Sequence, residues 1–266
     1  MSREIDELNS PEFLVRAEYF NNLEALRPIV NRTRHFARLR SVMGNLAVQA
    51  VPQDGAAVIG ESVVAYDRKL TLQNREDFDD SILFAQLVAG RRFDPDTHLA
   101  EWFKEYAKAL EMAGWGTASH AFSEFQSRDI QFTMDEAILQ IIAAIAGPDK
   151  LQLLGLVTGA FKALEKNDNA LKLFESRSKK SRSSNFQVAP CILTADGQLS
   201  MVIACVHLMT KSRITKVLFF KYYGEDIKLY RAAGRRGLNQ RVYNKFRTKI
   251  QDYVDSARAS YFENLI

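Results

Sequence analysis

The sequence predicts a single α+β domain, in which helices and a mainly C-terminal antiparallel sheet of about four to six strands pack together under a long final helix. Residues 13–112 place apolar side chains at three- and four-residue spacing, which is typical of amphipathic helices. Residues 185–223 instead contain short apolar segments separated by turn residues, which is typical of strands. We therefore expect one domain over residues 1–266, with residues 1–52 as a helical N-terminal extension and residues 53–266 as the core domain.

The N-terminal part is predicted to be helical over residues 13–26 and 30–46, with Pro28 as the break between the two helices. Further helices are expected over residues 77–90 and from Asp96 to Gly114. Residues 57–72 are compatible with a helix or a strand, and we interpret them as a helix.

The most apolar segments follow a predicted pair of strands in residues 115–134. Residues 135–146 and 151–164 are each shorter than the roughly 20 residues that a membrane-spanning helix needs. We interpret them as a helical hairpin buried against the sheet. The alternative is a hairpin that inserts into a membrane, as in pore-forming toxins.

The C-terminal part begins with a serine-rich, charged stretch, residues 175–184, which predicts a flexible loop. Strands are then expected over residues 185–193, 198–209 and 216–223, with a hairpin at Asp196-Gly197. Residues 238–265 carry apolar side chains at helical spacing and predict a long amphipathic helix.

The net charge of +4 is unevenly distributed, because residues 177–249 contain 16 Lys and Arg against three acidic residues. This excess predicts an anionic partner, either a membrane surface or a host factor. The alternative is that these charges only keep the protein in solution. Nucleic acid is not expected, since no glycine–aromatic RNA-binding pattern accompanies the charges. The candidate residues for anionic-surface binding are Arg177, Lys179, Lys180, Arg182, Arg235 and Arg236.

No nucleotide-binding loop, metal-ligand spacing or catalytic triad pattern is present in the sequence, so we predict no catalytic residue, no metal and no nucleotide. Two cysteines cannot form a disulfide framework, and the N-terminus lacks an apolar signal segment. We therefore expect synthesis in the cytoplasm without a signal peptide. Membrane association or release by a non-classical route remains open.

The two cysteines differ in their local sequence. Cys191 follows Pro190, which cannot donate to a sheet ladder, so we expect the strand to bend or end there. Nearby basic residues are expected to lower the thiol pKa, which would make the thiol reactive or open to acylation; the alternative is a buried, inert cysteine. Cys205 lies two residues before His207 in an apolar strand and is interpreted as a core residue. An acyl-transfer enzyme that uses Cys191 or Cys205 with a histidine remains the alternative.

Several short motifs resemble those of the Erwinia virulence factor group of bacterial proteins, over residues 60–266. The resemblance implies an α/β domain without known enzymatic activity, a role in bacterial persistence in an insect gut, and a fatty acyl chain, palmitate, on a C-terminal cysteine. Cys191 fits that lipidation site by its context. The motifs are residues 65–66 (AY), 73–74 (QN), 81–89 (SILFAQLVA), 102–106 (WFKEY), Leu110, 114–115 (GW), 185–191 (NFQVAPC), and Asn239, Tyr243 and Arg247.

Overall fold

A mixed seven-stranded sheet lies between two layers of helices in the computed structural model, which describes residues 10–25, 50–51, 55–116, 123–125 and 130–263. The strand order is β1-β2-β3-β6-β7-β9-β4, and a separate two-stranded ribbon pairs β5 with β8. The strands are β1 (Ala50–Val51), β2 (Ala56–Ile59), β3 (Ser62–Tyr66), β4 (Ser123–Phe125), β5 (Gln131–Thr133), β6 (Ser183–Leu193), β7 (Leu199–Thr210), β8 (Lys221–Tyr223) and β9 (Ile227–Gly237).

The α+β class is confirmed, but the sheet is larger and less purely antiparallel than expected. Strands β3 and β6 pair in parallel, with Ser62 opposite Gln187. The interpretation of residues 57–72 as a helix is wrong, because β2 and β3 form an antiparallel hairpin there. Both strands are buried on both faces, so no alternating pattern marks them in the sequence. The turn between them contains Gly60 at φ +57°.

The helices are α1 (Pro11–Ala25), α2 (Leu72–Arg92), α3 (Leu99–Met112), α4 (Met134–Ile145), α5 (Lys150–Lys166), α6 (Asp168–Ser178) and α7 (Gln240–Glu263). Helix α2 begins at an N-cap, Thr71, whose side chain accepts a hydrogen bond from the Asn74 backbone N–H. The helix ends at Arg92, two residues beyond the expected Gly90. Asn167 caps α6 in the same way through Ala170. The predicted helix over residues 30–46 lies outside the described residues.

Helices α1, α2, α3 and α7 cover one face of the sheet with a continuous apolar core. Helix α1 joins this core through Phe20, whose ring stacks on Phe84 at 5.6 Å and on Phe246 at 4.8 Å between centroids. The first helix of the predicted extension thus packs directly on the core domain.

Helices α4, α5 and α6 cover the opposite face with a second apolar core. The predicted helical hairpin is confirmed, since α4 and α5 pack on the sheet through buried side chains such as Ile138 and Val157. Within the described part of the chain, no helix is long and apolar enough to cross a membrane. The flexible loop expected at residues 175–184 is wrong at both ends, because α6 extends to Ser178 and buries Arg177, and β6 begins at Ser183.

Helices α2 and α7 are joined by a buried ionic contact. The Asp77 carboxylate accepts hydrogen bonds from Arg247 Nε at 2.9 Å and Arg247 Nη2 at 2.7 Å. It also accepts from Gln73 and Gln240, each at 3.0 Å. Such bidentate pairing fixes the relative position of two helices that lie far apart in sequence.

Candidate functional site

Cys191 lies on β6, fully buried, with its side chain in the core beneath α1, α2, α3 and α7. Its neighbours in register are Tyr66 on β3 and Met201 on β7. The expectation that the strand ends at Pro190 is wrong, because β6 continues to Leu193. Val188 pairs with Ala204 and Cys191 with Met201 in the same register, so the strand passes through the proline without a shift. The pairing with β7 is interrupted at Ala189 and Pro190, while on the other side of the strand Pro190 pairs with Ala65 of β3.

The surroundings of Cys191 make its thiol less acidic than usual. Burial raises the thiol pKa well above its ordinary value, and the carboxylates of Asp79 and Asp67 raise it further. The expectation that basic residues lower this pKa is wrong. The residues of the basic stretch lie beyond Ser183, which is eight strand positions away, or roughly 26 Å.

Two polar contacts border this thiol at the edge of the core. The Tyr66 hydroxyl donates to Asp79 Oδ1 at 2.7 Å, and Gln152 Nε2 donates to Asp67 Oδ2 at 2.7 Å. Burial raises the pKa of Asp79 to about 7, although the Tyr66 hydrogen bond opposes that shift. The sequence analysis missed Tyr66 and Asp79 as neighbours of Cys191, since only the parallel pairing of β3 with β6 brings them there.

Cys205 and His207 lie on β7, on the same face as Cys191, and both are buried. Burial raises the pKa of the Cys205 thiol, and the nearby Arg236 guanidinium only partly offsets this. His207 is opposite Asn185 in the sheet. It is six positions along β7 from Met201, the partner of Cys191, which separates the histidine from that cysteine by roughly 20 Å.

Cys191 and His207 are therefore too far apart to act as a nucleophile and its base. His98 is also remote from Cys191. It precedes α3, beyond the C-terminal end of α2, whereas Asp79, a neighbour of Cys191, lies near the N-terminal end of α2. His35 and His120 lie outside the described residues. Among the residues that the structure describes, no group of three or more His, Cys, Asp or Glu is arranged to hold a metal ion.

The six cationic residues predicted to bind an anionic surface lie in different environments. Arg177 and Arg236 are buried, and burial lowers the pKa of both. Arg236 Nη1 donates to the Gly116 carbonyl at 2.9 Å. Arg235 points to the opposite face of the sheet, where it pairs with Asp149 and donates to the Ala146 carbonyl. The side chains of these three arginines thus interact with other groups of the protein itself.

The other three of these residues lie near the surface, where binding to anions stays a prediction. Lys179 Nζ donates to the Thr215 carbonyl at 2.6 Å, and Lys180 pairs with Asp96. Arg182 is exposed, and its backbone carbonyl accepts from Thr210 at 3.0 Å. The structure thus brings the remaining basic residues next to the segment that follows β7.

A buried polar cluster was also missed from the sequence. Gln86 Nε2 donates to Ser62 Oγ at 2.6 Å, and Ser62 Oγ donates to Gln187 Oε1 at 2.9 Å. Asn185 Nδ2 donates to Glu61 Oε2 at 3.2 Å beside them. The only sequence signal was the presence of Asn185 and Gln187 in an otherwise apolar strand. The cluster links β3, β6 and α2, and it satisfies most of the polar groups that this packing buries.

No known protein family and no curated protein matches the sequence. Among solved structures, the chain is similar to the Evf virulence factor, with a TM-score of 0.41 and 14% identity over 80% of this chain and 89% of that one. It is also similar to a delta-endotoxin, with a TM-score of 0.41 and 13% identity over 68% of this chain and 84% of that one. Both similarities are weak, and no functional conclusion follows from them.

Proposed function

We propose that the protein acts without catalysing a reaction, in the interaction of a bacterium with a host, and that Cys191 carries a fatty acyl chain. The motifs over residues 60–266 support the role, because they resemble those of a bacterial virulence group. The observation that carries the lipid is the position of Cys191, fully buried on the apolar face of the sheet.

The position of Cys191 favours a permanent acyl group over a catalytic intermediate. A thioester at a buried sulfur is shielded from water, and its chain lies among apolar side chains. The thiol itself is enclosed and its pKa is raised, so it is a poor nucleophile in the folded protein. Acylation therefore takes place before the sheet and its helices close over β6.

The acyl chain would be part of the apolar core. Each methylene that it buries contributes about 0.8 kcal/mol, so even a partly buried palmitoyl group stabilises the folded state substantially. Since a single acyl chain gives only marginal membrane binding, stable attachment to a membrane requires a second contact. We include such membrane association in the proposal.

Intact-mass spectrometry of protein purified from its native host tests the lipid. We expect an added fatty-acyl mass that hydroxylamine removes and that Cys191→Ser abolishes. Cys205→Ser is the matched control, because Cys205 is also fully buried on the same face; it should retain the added mass. An unmodified thiol, or a mass retained in Cys191→Ser, contradicts the lipid proposal.

The host role is tested separately by competition between a deletion strain and the complemented deletion strain during colonisation of a host. We expect the deletion strain to lose. Equal persistence of the two strains contradicts the host role, whatever the state of Cys191.

A further inference from the structure

The most exposed apolar side chains near the basic residues lie on and beside the β5–β8 ribbon. Ile130 is 87% exposed, Tyr223 50% and Phe220 46%. Tyr222 and Phe132, which face each other across the ribbon, are buried against the α4 side of the sheet. Because strand side chains alternate, Tyr223 and Lys221 face outward together, and Gln131 lies opposite Tyr223.

The ribbon is firmly attached to the domain. The Leu218 carbonyl accepts from the Met134 backbone N–H at 3.0 Å, and the Tyr222 hydroxyl donates to the Lys216 carbonyl at 2.7 Å. Glu175 on α6 accepts from the Val217 backbone N–H at 3.1 Å. The exposed side chains are therefore presented by a fixed framework.

Cationic side chains surround these apolar groups. Lys211, Arg213, Lys216 and Lys221 are exposed on the segment that links β7 to β9, and Lys228 is exposed at the start of β9. The acidic Glu225 and Asp226 are exposed between Lys221 and Lys228. Arg182 is adjacent, since its carbonyl accepts from Thr210 at the end of β7. Cationic residues thus outnumber acidic ones here, although Asp135 and Glu136 in the first turn of α4 also lie beside the ribbon.

We propose that this ribbon surface, formed by Ile130, Tyr223, Lys216 and Lys221, docks on an anionic lipid surface. The apolar groups enter the headgroup region, where an aromatic ring with a polar tip is well accommodated, as for Tyr223. The lysines pair with lipid phosphates and carboxylates. The exposed Ile130 and Tyr223 lie near cationic side chains, a pattern that suits a negatively charged lipid surface.

This inference deepens the proposed membrane association and does not depend on acylation of Cys191. The test therefore uses protein whose Cys191 thiol is shown to be free by mass, with vesicles of phosphatidylcholine alone or with phosphatidylserine. We expect binding to the anionic vesicles only, and we expect added salt to weaken it.

Two double variants separate the contributions to binding. Lys216→Gln with Lys221→Gln should weaken binding about 30-fold, because each basic residue near such a surface contributes about fivefold. The charge-matched control, Lys104→Gln with Lys162→Gln, alters exposed lysines on α3 and α5 and should leave binding unchanged. Ile130→Ser with Tyr223→Ser should weaken binding about tenfold or more. Its control, Leu72→Ser with Leu151→Ser, removes side chains that are 74% and 88% exposed elsewhere and should have no effect.

A direct probe of insertion is Tyr223→Trp, since both native tryptophans, Trp102 and Trp115, are buried. Its emission should shift to shorter wavelength with anionic vesicles. Absence of vesicle binding, ribbon and control variants that behave alike, or an emission that does not shift would each overturn the proposal. Should the unmodified protein fail to bind while the Cys191 acyl mass is found, the ribbon inference fails and the lipid proposal stands.

Discussion

The Asp77–Arg247 contact predicts an asymmetry between two substitutions. Asp77 is fully buried and Arg247 is 27% exposed at its side chain. In Arg247→Gln, the carboxylate loses its cationic partner and stays buried with only the Gln73 and Gln240 donors. Breaking a buried pair in this way costs about 3–5 kcal/mol.

In Asp77→Asn, the remaining arginine reaches water and rehydrates, so the loss is closer to that of hydrogen bonds to a charged group, about 1.5–3 kcal/mol. Urea unfolding followed by circular dichroism measures both free energies of unfolding. We expect Arg247→Gln to be the more destabilising variant by about 1 kcal/mol or more, given those two ranges. Lys162→Gln, which removes an exposed charge, should leave the free energy of unfolding almost unchanged. Equal costs, or a larger cost for Asp77→Asn, would refute the reasoning.

Three further predictions follow from the described geometry. Burial raises the folded-state pKa of Asp79 to about 7 from an ordinary 3.8, so the stability that protonated Asp79 confers is lost as pH rises from about 4 through 7. The urea midpoint of the native protein should therefore fall over this pH range, and Asp79→Asn should flatten the fall. Identical pH slopes for the two proteins would contradict this reasoning. Gly60→Ala should be more destabilising than Gly197→Ala by about 1 kcal/mol or more, as measured by thermal unfolding. Both glycines have positive φ, but only at Gly60 would an added Cβ overlap Gln86 Oε1, and the Gln86 side chain is held by hydrogen bonds to Glu61 and Ser62. Equal melting temperatures would exclude that steric cause. In unacylated protein both thiols should react with a thiol reagent only on unfolding, because Cys191 and Cys205 are fully buried; rapid labelling of the native state would show that one of them is accessible.

The sequence predicted the elements that have a clear period and missed those that do not. Helices α3 and α5 carry their apolar residues on one face and were expected close to their observed positions. Strands β2 and β3 are buried on both faces, so their apolar runs carry no alternation and resemble a buried helix in the sequence. Pro190 was expected to interrupt its strand, but β3 and the flanking pairs of β7 hold it in register.

The surroundings of Cys191 were the least predictable part. Its burial could be expected from an apolar strand, but the carboxylates that raise its pKa come from Asp67 and Asp79, more than a hundred residues earlier. The same holds for the ribbon, since only pairing shows that Tyr222 is buried and Tyr223 exposed. Contacts between distant segments depend on the topology of the sheet, which local patterns do not encode.

The parallel pairing of β3 with β6 also constrains how the chain folds during its synthesis. Ser62 lies opposite Gln187, which is 125 residues later. At the usual 5–20 residues per second, β3 leaves the ribosome roughly 6 to 25 s before its partner strand does. During that interval the apolar β2–β3 hairpin has an unpaired edge, while the α4–α5 hairpin forms from local contacts. Cys191 is synthesised only at the end of that interval, and β7 and α7, which help to enclose it, are synthesised later still, so at that stage its thiol is accessible to an acylating enzyme.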